Sequence, residues 1–488
     1  MAAACAACTG DARTGPPGPL EIKIGTFLPK SGGSSLIDLA GMFSSEPLVA
    51  AAWDGRPAYR LAESVVESED GRQLTVTLRR DVRFHNDTPV TAPIVRELLA
   101  KKKLAMLLPE IAGIVALDDR RLQFSLHKAS SVRPEDLSRM LVDSNEPDQI
   151  GLRTGPFKLV STEPMVLERF DGYYQGKPSV ERVELHEYQT HRAAWTGMMR
   201  REVNFLHEVS RDAIDFVEAG GDIRAYPMLR PYYTALVFSM GHAVLKRRDV
   251  RVAINEALDR NELVRNAMRG HGRVAESPFW PYHWAYPEGR FPVAFNPEAA
   301  KLRLDAAGLR IRPGNPQQMP SRFAFTCLLL AGDARFERIA QLAQRQLYAV
   351  GIDMAIEPLP LSKLYPRLMS GDFDAFIMEL GTGRNLSWAR QMWHSPGPSP
   401  RGFPVTGYSA ADGGFDRLQV AKSDEEVREA LSNVIHVLRA DPPAAFLVWP
   451  QEARAADASL DIPYETDRDV FGTLWRATAA GPMVRAQR

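Results

Sequence analysis

The sequence predicts an α/β protein with two lobes, and three observations support that fold class. The chain has 488 residues, more than one ordinary core accommodates, which suggests two or three domains. Up to about residue 190, several stretches alternate apolar and polar residues, the period of half-buried strands. Beyond residue 245, amphipathic helices alternate with short apolar strands, which is typical of an α/β layer with a largely parallel sheet.

The strand-rich part follows a stretch rich in proline and glycine, so we expect the fold to begin near Leu20. Strands are predicted at 20–27 (LEIKIGTF), 74–78, 122–126, 159–169 and 180–188. A segment rich in turn residues (DGYYQGKPS) separates the last two of these strands.

The helix-rich part is predicted to contain two short helices within 249–270, longer helices at 336–350, 361–371 and 423–440, and strands at 352–358, 375–380 and 446–449. The helix at 423–440 opens with Ser423 and has Glu426 three residues on, which is the pattern of a capping box. Residues 396–415 are rich in proline, glycine and serine and are predicted to form a long surface loop.

The composition excludes several classes of protein. Hydrophobic residues make up 45% and charged residues 25%, the average for a soluble globular protein. The 60 lysine and arginine residues equal the 60 aspartate and glutamate residues, so no net field attracts nucleic acid or an anionic membrane. No stretch reaches the roughly 18–20 apolar residues that span a bilayer.

Motifs that mark catalysis are missing from the sequence. It contains no H-E-x-x-H, no G-x-S-x-G, no phosphate-binding glycine loop and no calcium loop. Adjacent carboxylates, such as Asp118 and Asp119, stand beside turn or helix-start signals, and we interpret them as solvated caps. Because these motifs are missing, we expect no catalytic residues, no metal site, no cofactor and no enzymatic activity. The alternative is a catalytic site assembled from distant residues, which would leave no such motif.

Two cysteines near the start of the sequence, Cys5 and Cys8, allow two interpretations. A single C-x-x-C with no nearby histidine is weak evidence for a metal or redox site. The opening MAAACAAC lacks the charged and hydrophobic regions of a complete signal peptide. It is either a tail without a role or the remnant of a lipoprotein signal. In the second case Cys8 is the candidate for lipidation, and the polar stretch 9–19 is a tether.

An aromatic loop is the most distinctive local feature. Its rings are interleaved with prolines: Phe279, Trp280, Tyr282, His283, Trp284 and Tyr286. The loop could pack one lobe together as part of its core. Alternatively, it could form the wall of an apolar ligand cleft, because rigid rings supply contact area with little loss of entropy. Trp388 and Trp393 allow the same two interpretations.

Five segments, in this order, resemble a known family. They are 61–92 (containing RFHNDTPVTA), TGPFKLV at 154–160 with 166–185, 247–279, 295–309 and 339–381. Together they resemble the family 5 extracellular solute-binding proteins, the substrate-binding subunits of ABC importers of the peptide/nickel type. The likeness extends over most of the chain from about residue 20.

The resemblance implies an α/β, bilobed, periplasmic-binding-protein-like fold (type II, cluster C-like) with an additional domain inserted in the first lobe. It assigns 1–19 to a disordered tail or signal remnant. The first lobe would contain 20–45, 153–238 and 444–488, the inserted subdomain 46–152, and the second lobe 239–443. Ligand would bind between the lobes, which close around a hinge.

The sequence departs from the family in two places. Asn86 and Asp87 stand where the family usually has Asp–Gly, and the stretch that follows is short, so the inserted subdomain is expected to be trimmed. Peptide-binding members commonly carry an aspartate just past the strand at 375–380, where it pairs with the peptide's amine. Here the segment reads GTGRNLSWA, with Arg384 and Asn385 at that place. Arginine cannot accept a hydrogen bond from an amine but suits carboxylate or phosphate.

The resemblance implies an extracytoplasmic receptor that captures a peptide or a peptide-like or opine-like solute and delivers it to the permease subunits of an ABC transporter. We expect a monomer, periplasmic or anchored on the outer face of the membrane, that does not bind nucleic acid. The ligand-binding residues are predicted to be Phe27, Tyr233, Trp280, Tyr282, Trp284, Arg384, Asn385 and Trp388. The alternative is a cytosolic ligand sensor or a chaperone-like scaffold with the same fold.

Overall fold

The computed structural model describes residues 19–28, 35–102, 107–144, 151–209, 213–214, 217, 221–287, 294–312, 320–395 and 406–480. Up to residue 144 the strands are β1 (Glu21–Thr26), β2 (Glu46–Pro47), β3 (Val49–Ala51), β4 (Pro57–Tyr59), β5 (Ala62–Glu67), β6 (Gln73–Leu78), β7 (Ile111–Ala116), β8 (Arg121–Leu126) and β9 (Leu141–Val142). The helices there are α1 (Leu36–Ser44), α2 (Ala92–Ala100) and a 3₁₀ helix at Pro134–Arg139.

From residue 151 to 287 the strands are β10 (Phe157–Thr162), β11 (Met165–Arg169), β12 (Arg182–Glu187), β13 (Phe205–Val209), β14 (Ile223–Leu229), β15 (Tyr232–Phe238) and β16 (Gly272–Val274). The helices are α3 (His191–Met199), α4 (Arg248–Ala257) and α5 (Arg260–Glu262), which continues as a π-helix over Leu263–Ala267.

From residue 294 onward the strands are β17 (Phe323–Leu330), β18 (Ile352–Leu359), β19 (Ala375–Gly381), β20 (Ala444–Asp457), β21 (Leu460–Asp461) and β22 (Thr478–Ala479). The helices are α6 (Pro297–Ala306), α7 (Ala334–Ala349), α8 (Leu361–Ser370), α9 (Ser387–Trp393), α10 (Asp412–Val420) and α11 (Asp424–Ala440), with 3₁₀ helices at Val470–Gly472 and Leu474–Arg476.

One long strand, β20, links the two halves of the main sheet. Among the described residues this sheet has 12 strands in the order β10-β11-β12-β1-β13-β20-β15-β19-β17-β18, and β14 and β16 also pair with β20. The first part of β20 pairs with β15 and β16, and its last part pairs with β13 and β14. The chain therefore crosses between the two halves along β20 and along the β14–β15 connection at Arg230 and Pro231.

Five buried apolar clusters divide the molecule. Two clusters, one with Phe43 and Phe205 and the other with Leu206 and Val209, pack on β1, β12, β13 and the end of β20, which we call the first lobe. Two others cover β15, β17 and β19, which we call the second lobe. The buried residues of the fifth cluster all lie between Leu48 and Val142, which we call the inserted region. The domain boundaries given above stay a prediction.

Most predicted elements are confirmed, and some details are wrong. Residues 412–415 of the loop predicted at 396–415 begin helix α10, and 396–405 lie outside the described residues. The helices at 336–350, 361–371 and 423–440 appear as α7, α8 and α11, and the Ser423–Glu426 capping box is formed. The strand predicted at 159–169 is instead the hairpin β10–β11, because the chain turns at Glu163 and Pro164. The strand at 446–449 is only part of β20, whose polar residues Glu452 and Arg454 hide its length in the sequence.

The sheet of the second lobe is mixed, not largely parallel as expected. Strand β17 is parallel to β18 and β19, but β15 is antiparallel to β19 and β20. The strands β15 and β20 carry the chain in opposite directions between the lobes, so they must run antiparallel. None of the helices formed by the described residues has the length and apolar character that crossing a bilayer requires.

Candidate ligand site between the lobes

The carboxyl ends of parallel strands from the two lobes define the candidate site. In the first lobe, β1 and β13 are parallel neighbours and end together, so that the Thr26 hydroxyl lies 3.0 Å from His207 Nδ1. In the second lobe, β19 ends at Gly381 and leads directly to Arg384. Open α/β sheets bind ligands beyond such strand ends.

Arg384 lies among aromatic rings and has no acidic partner among the described residues. Its guanidinium carbon is 5.0 Å from the ring centre of Trp53 and 5.9 Å from that of Trp280, within cation–π range. Its Nε is buried and has no hydrogen-bond acceptor among the described residues. Burial lowers the pKa of Arg384, which the more distant carboxylate of Asp469 partly offsets. Glu379, the acid nearest to it in the sequence, lies 3.8 Å from Arg335, and no ion pair among the described residues joins Glu379 to Arg384.

A second cation approaches from the first lobe. The guanidinium carbon of Arg468 is 5.6 Å from the centre of the Trp53 ring, and Arg468 also pairs with Glu465 at 2.7 Å. Trp53 belongs to the turn between β3 and β4 of the inserted region. The two lobes and the inserted region therefore meet at this one indole ring.

Two carboxylates, Glu208 and Glu452, lie near the crossing between the lobes. Glu208 follows His207 at the end of β13, and its pKa is raised by burial and by the nearby charge of Glu452, against the opposing effects of His191, Arg230 and Arg335. Glu452 pairs with Arg230 at 3.0 Å beside the crossing between the lobes. The charge of Arg335, in the second lobe, also acts on Glu208 and lowers its pKa.

His207 stays neutral in this environment. Burial and the adjacent Arg454 lower its pKa to about 3, and Arg454 itself is held by both carboxylate oxygens of Asp469, at 2.5 and 2.6 Å. The described residues contain no group of three histidine, cysteine, aspartate or glutamate side chains placed to hold a metal ion.

Two of the predicted ligand-binding residues are fully buried. Trp280 is 1% exposed, its ring packs against Trp53 and Trp449, and its indole N–H donates to the Trp53 carbonyl at 2.7 Å. Tyr233 is also 1% exposed, and its hydroxyl accepts a hydrogen bond from Trp393 at 2.9 Å. Both side chains are part of the second-lobe core in this structure.

The other predicted aromatic residues are half-buried and keep protein partners. Tyr282 donates from its hydroxyl to Asp467 at 2.9 Å, and Trp284 stacks under Arg56 at 3.5 Å. The Arg139 guanidinium lies 4.4 Å above Trp388. Phe27, just past β1, contacts the ring of His191 at 4.9 Å.

Two predicted residues remain, Asn385 and Cys8. Asn385 is 2% exposed, and its side-chain oxygen lies 3.2 Å from the Ser387 hydroxyl oxygen. Cys8 lies outside the described residues. The structure therefore brings Trp280, Tyr282 and Arg384 together around Trp53 and places Tyr233 and Asn385 in buried positions. The ligand-binding role of all eight residues stays a prediction.

Sequence reasoning missed Trp53, Glu208, Arg230 and Arg468. One signal could have identified Trp53: a bulky ring directly before Asp–Gly, a turn pair, is unusual unless the turn packs on another surface. Glu208, Arg230 and Arg468 carry no local signal, because their positions depend on how distant strands pair.

Comparisons with known proteins agree with this fold. Residues 56–398, more than half of the chain, match the model of the bacterial extracellular solute-binding proteins, family 5. The oligopeptide-binding protein AppA of Bacillus subtilis is 24% identical over 84% of this chain and 82% of its own length. The nickel-binding periplasmic protein of Escherichia coli is 26% identical over 67% of this chain and 68% of its own length.

A solved structure shows the same architecture. The AppA structure from Bacillus subtilis, in complex with a nonapeptide, superposes with a TM-score of 0.74 at 20% identity, covering 95% of this chain and all of that one.

The chain belongs to the family 5 extracellular solute-binding proteins, and the resemblance seen in the sequence is confirmed. The bilobed α/β fold is confirmed with it. Members of this family are transport binding proteins that act outside the cytoplasm, so the chain is a binding protein and not an enzyme.

Proposed function

We propose that this protein is the extracytoplasmic substrate-binding subunit of an ABC importer, and that it holds its solute between the lobes beside Arg384. The solute is a peptide or a peptide-like or opine-like compound that carries a carboxylate or phosphate. The protein then passes the solute to the permease subunits of the transporter. Its lipid anchor would be Cys8.

The observation that carries the proposal is the environment of Arg384. Several buried side-chain donors among the described residues lack an acceptor, and a bound partner outside the chain is one way to satisfy such a donor. Arg384 keeps its charge, lies beside two indole rings and has no carboxylate partner among the described residues. An anionic group of the solute would complete its hydrogen bonds, and the fork of the guanidinium can hold such a group at two points.

The carboxylates near the crossing between the lobes support a solute that also carries a cation. Glu208 and Glu452 are close enough for their like charges to raise the pKa of Glu208, which disfavours both being ionised at once. An ammonium or guanidinium group of the solute would relieve that repulsion. A compound with one anionic and one cationic group, such as a peptide, fits both Arg384 and these carboxylates.

The test begins with trialanine and trialanine amide as probes, together with mass spectrometry of any solute released from the purified protein by gentle denaturation. Isothermal titration then compares the wild type with Arg384→Ala and Arg384→Lys. We expect Arg384→Ala to weaken binding of an anionic solute by about 1.5–3 kcal/mol, as for hydrogen bonds to charged groups. Lysine should restore only part of this loss, because it lacks the fork.

The matched control is Arg121→Ala, which removes an arginine that pairs with Asp118 on the surface of the inserted region. It should leave binding unchanged. Equal affinity of the wild type and both Arg384 variants for a carboxylate-bearing solute would refute the proposal. Equal binding of trialanine and its amide would refute the requirement for a carboxylate.

A further inference from the structure

The inserted region reaches across the molecule and contacts the second lobe through the turn at 52–56. The Trp284 amide donates to the Asp54 carbonyl at 2.8 Å, and the Trp280 indole donates to the Trp53 carbonyl at 2.7 Å. One backbone hydrogen bond and one hydrogen bond from an indole therefore hold the turn on the aromatic loop. Both bonds are made to backbone carbonyls of the turn.

Gly55 makes this close approach possible. Its φ is +79°, in the region that favours glycine, and a Cβ at this position would lie 2.3 Å from His283 Cδ2 and 2.5 Å from the Arg384 carbonyl oxygen. Any larger residue would therefore push the turn away from the aromatic loop and from Arg384. The turn is shaped to fit this surface.

Arg56 connects the turn to the second lobe by charge. Its two terminal nitrogens donate to the two carboxylate oxygens of Asp424 at 2.8 and 2.5 Å, and its guanidinium stacks on Trp284 at 3.5 Å. Asp424 begins α11, where a carboxylate is also favoured by the helix dipole. Bidentate geometry combined with stacking is the arrangement for which arginine is suited and lysine is not.

A second set of contacts lies beside the first. Arg133 donates to the carbonyls of Leu418 and Ala421 at 2.8 and 3.0 Å, at the end of α10, where the last carbonyls of a helix need partners. The Ser387 hydroxyl donates to Asp136 at 2.5 Å and accepts from Arg139 at 2.8 Å. We call this whole contact, formed by 52–56 and 133–139 with 280–284, 384–388 and 418–424, the clamp.

We propose that the inserted region is the arm of a clamp, in which the Arg56–Asp424 pair holds the turn closed and thereby positions Trp53 beside Arg384. Arg56 is then a positioning residue for solute binding: it acts through Trp53 and does not touch the solute. This role rests on the proposed function, but formation of the clamp can be tested without any solute.

The consequence for binding follows from populations. If only the clamped form presents Trp53 to Arg384, the apparent affinity is reduced by the fraction of molecules in which the clamp is open. Weakening the Arg56–Asp424 pair should therefore raise the dissociation constant of a solute without changing any group that contacts it.

The test uses the full chain labelled with ¹⁵N-tryptophan, because the Trp280 indole N–H is itself a clamp bond. Its NMR signal is one of eight and is assigned with Trp280→Phe. We expect Arg56→Ala and Asp424→Ala each to speed exchange of this indole proton with water by at least about tenfold. The double variant should be no faster than either single variant, because both remove the same pair. Arg56→Lys should restore little.

Two controls separate the clamp from general destabilisation. Arg121→Ala removes an exposed ion pair in the same region and should leave the Trp280 signal unchanged. The Trp475 indole, in the first lobe, should keep its exchange rate in every variant. Unchanged exchange at Trp280 in both Arg56→Ala and Asp424→Ala would overturn the proposal, and so would equal acceleration at Trp280 and Trp475.

Measurements of solute binding distinguish this inference from the proposed function. With trialanine as the probe, Arg56→Ala should raise the dissociation constant by no more than it raises clamp opening, up to about tenfold, while Arg384→Ala, which removes the proposed contact with the solute, should raise it more. Faster exchange without any change in trialanine affinity would overturn the positioning role of Arg56. Failure of trialanine to bind the wild type would count against the proposed solute and leave the exchange test of the clamp decisive.

Discussion

The inserted region touches both lobes, and the two contacts are built differently. On the first lobe, Glu46 is 8% exposed and accepts hydrogen bonds from the hydroxyls of Tyr173 and Tyr174 at 2.9 and 3.1 Å. The His85 amide, in the inserted region, donates to the Arg153 carbonyl at 2.9 Å, and Nε2 of the His85 ring lies 2.9 Å from the Gly155 carbonyl oxygen. We call this contact the anchor.

The clamp on the second lobe is more exposed. Its main ion pair has side chains that are 40% and 50% exposed, for Arg56 and Asp424 respectively. Exposed pairs contribute little to stability and are weakened by salt, whereas buried hydrogen-bonded groups are costly to separate. The chain also passes through the anchor twice, near residues 45 and 152. The difference indicates that the anchor is permanent and that the clamp can open.

The largest effect is expected from removing the ring at the centre of the clamp. Trp280→Ala should lower the free energy of unfolding by about 3–5 kcal/mol, because a fully buried indole leaves a cavity in the second-lobe core. Trp280→Phe keeps most of the ring volume and should cost much less. Chemical denaturation measures both. A loss below about 1 kcal/mol for the alanine variant would show that the ring is not core.

The anchor should lose stability as the pH rises towards neutral, through Glu46. Burial raises the pKa of Glu46 to about 7, from an ordinary 4.5, so the folded state binds more protons than the unfolded state between these values. Stability must then fall as pH rises from about 4.5 to 7, by roughly 2–3 kcal/mol. Glu46→Gln keeps an acceptor for the tyrosines and removes this cost.

Denaturation at two pH values checks this expectation. The Gln variant should be more stable than the wild type at pH 8 and no more stable at pH 4. A stabilisation of equal size at both values would mean that the charge of Glu46 is not the cause.

The clamp should respond to acid with the opposite sign, through His283. Burial lowers the pKa of His283 to about 3, with smaller effects of Arg133, Asp54 and Arg56. If opening hydrates the ring, the open form takes up a proton below pH 6.5, and closure weakens by up to about 2 kcal/mol at pH 5. Exchange of the Trp280 indole proton at pH 7 and pH 5 measures the change.

Glu135 also titrates between pH 5 and pH 7, because burial and the charge of Asp136 raise its pKa to about 7. Its effect on Trp280 exchange must therefore be separated from that of His283. It would act in the opposite direction if opening hydrated it. The measurement therefore belongs in a Glu135→Gln background. Opening that is no easier at pH 5 than at pH 7 in that background would show that His283 stays buried when the clamp opens.

The sequence predicts the elements well where period and caps are local. Helix α11 is identified by its apolar spacing and by Ser423, and β19 by a short apolar run between turn residues. The mixed sheet of the second lobe was not predictable in this way, because the pairing of β15 with β20 depends on where a strand from the far end of the chain inserts.

In the candidate site, too, the sequence predicts only the residues that carry a local signal. Arg384 stands out in the sequence because it replaces an expected acid and follows a strand end. Its neighbours Trp53 and Arg468 come from positions more than 300 and about 80 residues away, and no local pattern relates them. The high density of aromatic rings at 279–286 is visible in the sequence. Whether these rings contact a solute or a backbone turn depends on which surface of the folded protein faces them, and the sequence does not show that.

Hydrogen exchange at two backbone amides tests the contrast between anchor and clamp most directly. The His85 amide belongs to the anchor and donates to the Arg153 carbonyl, and the Trp284 amide belongs to the clamp and donates to the Asp54 carbonyl, so each bond joins the inserted region to a different lobe. In the wild type we predict that Trp284 exchanges through local opening, faster at 0.5 M than at about 0.05 M salt. His85 should exchange only when the whole protein unfolds. Equal protection of both amides, with no salt dependence at Trp284, would contradict a clamp that opens.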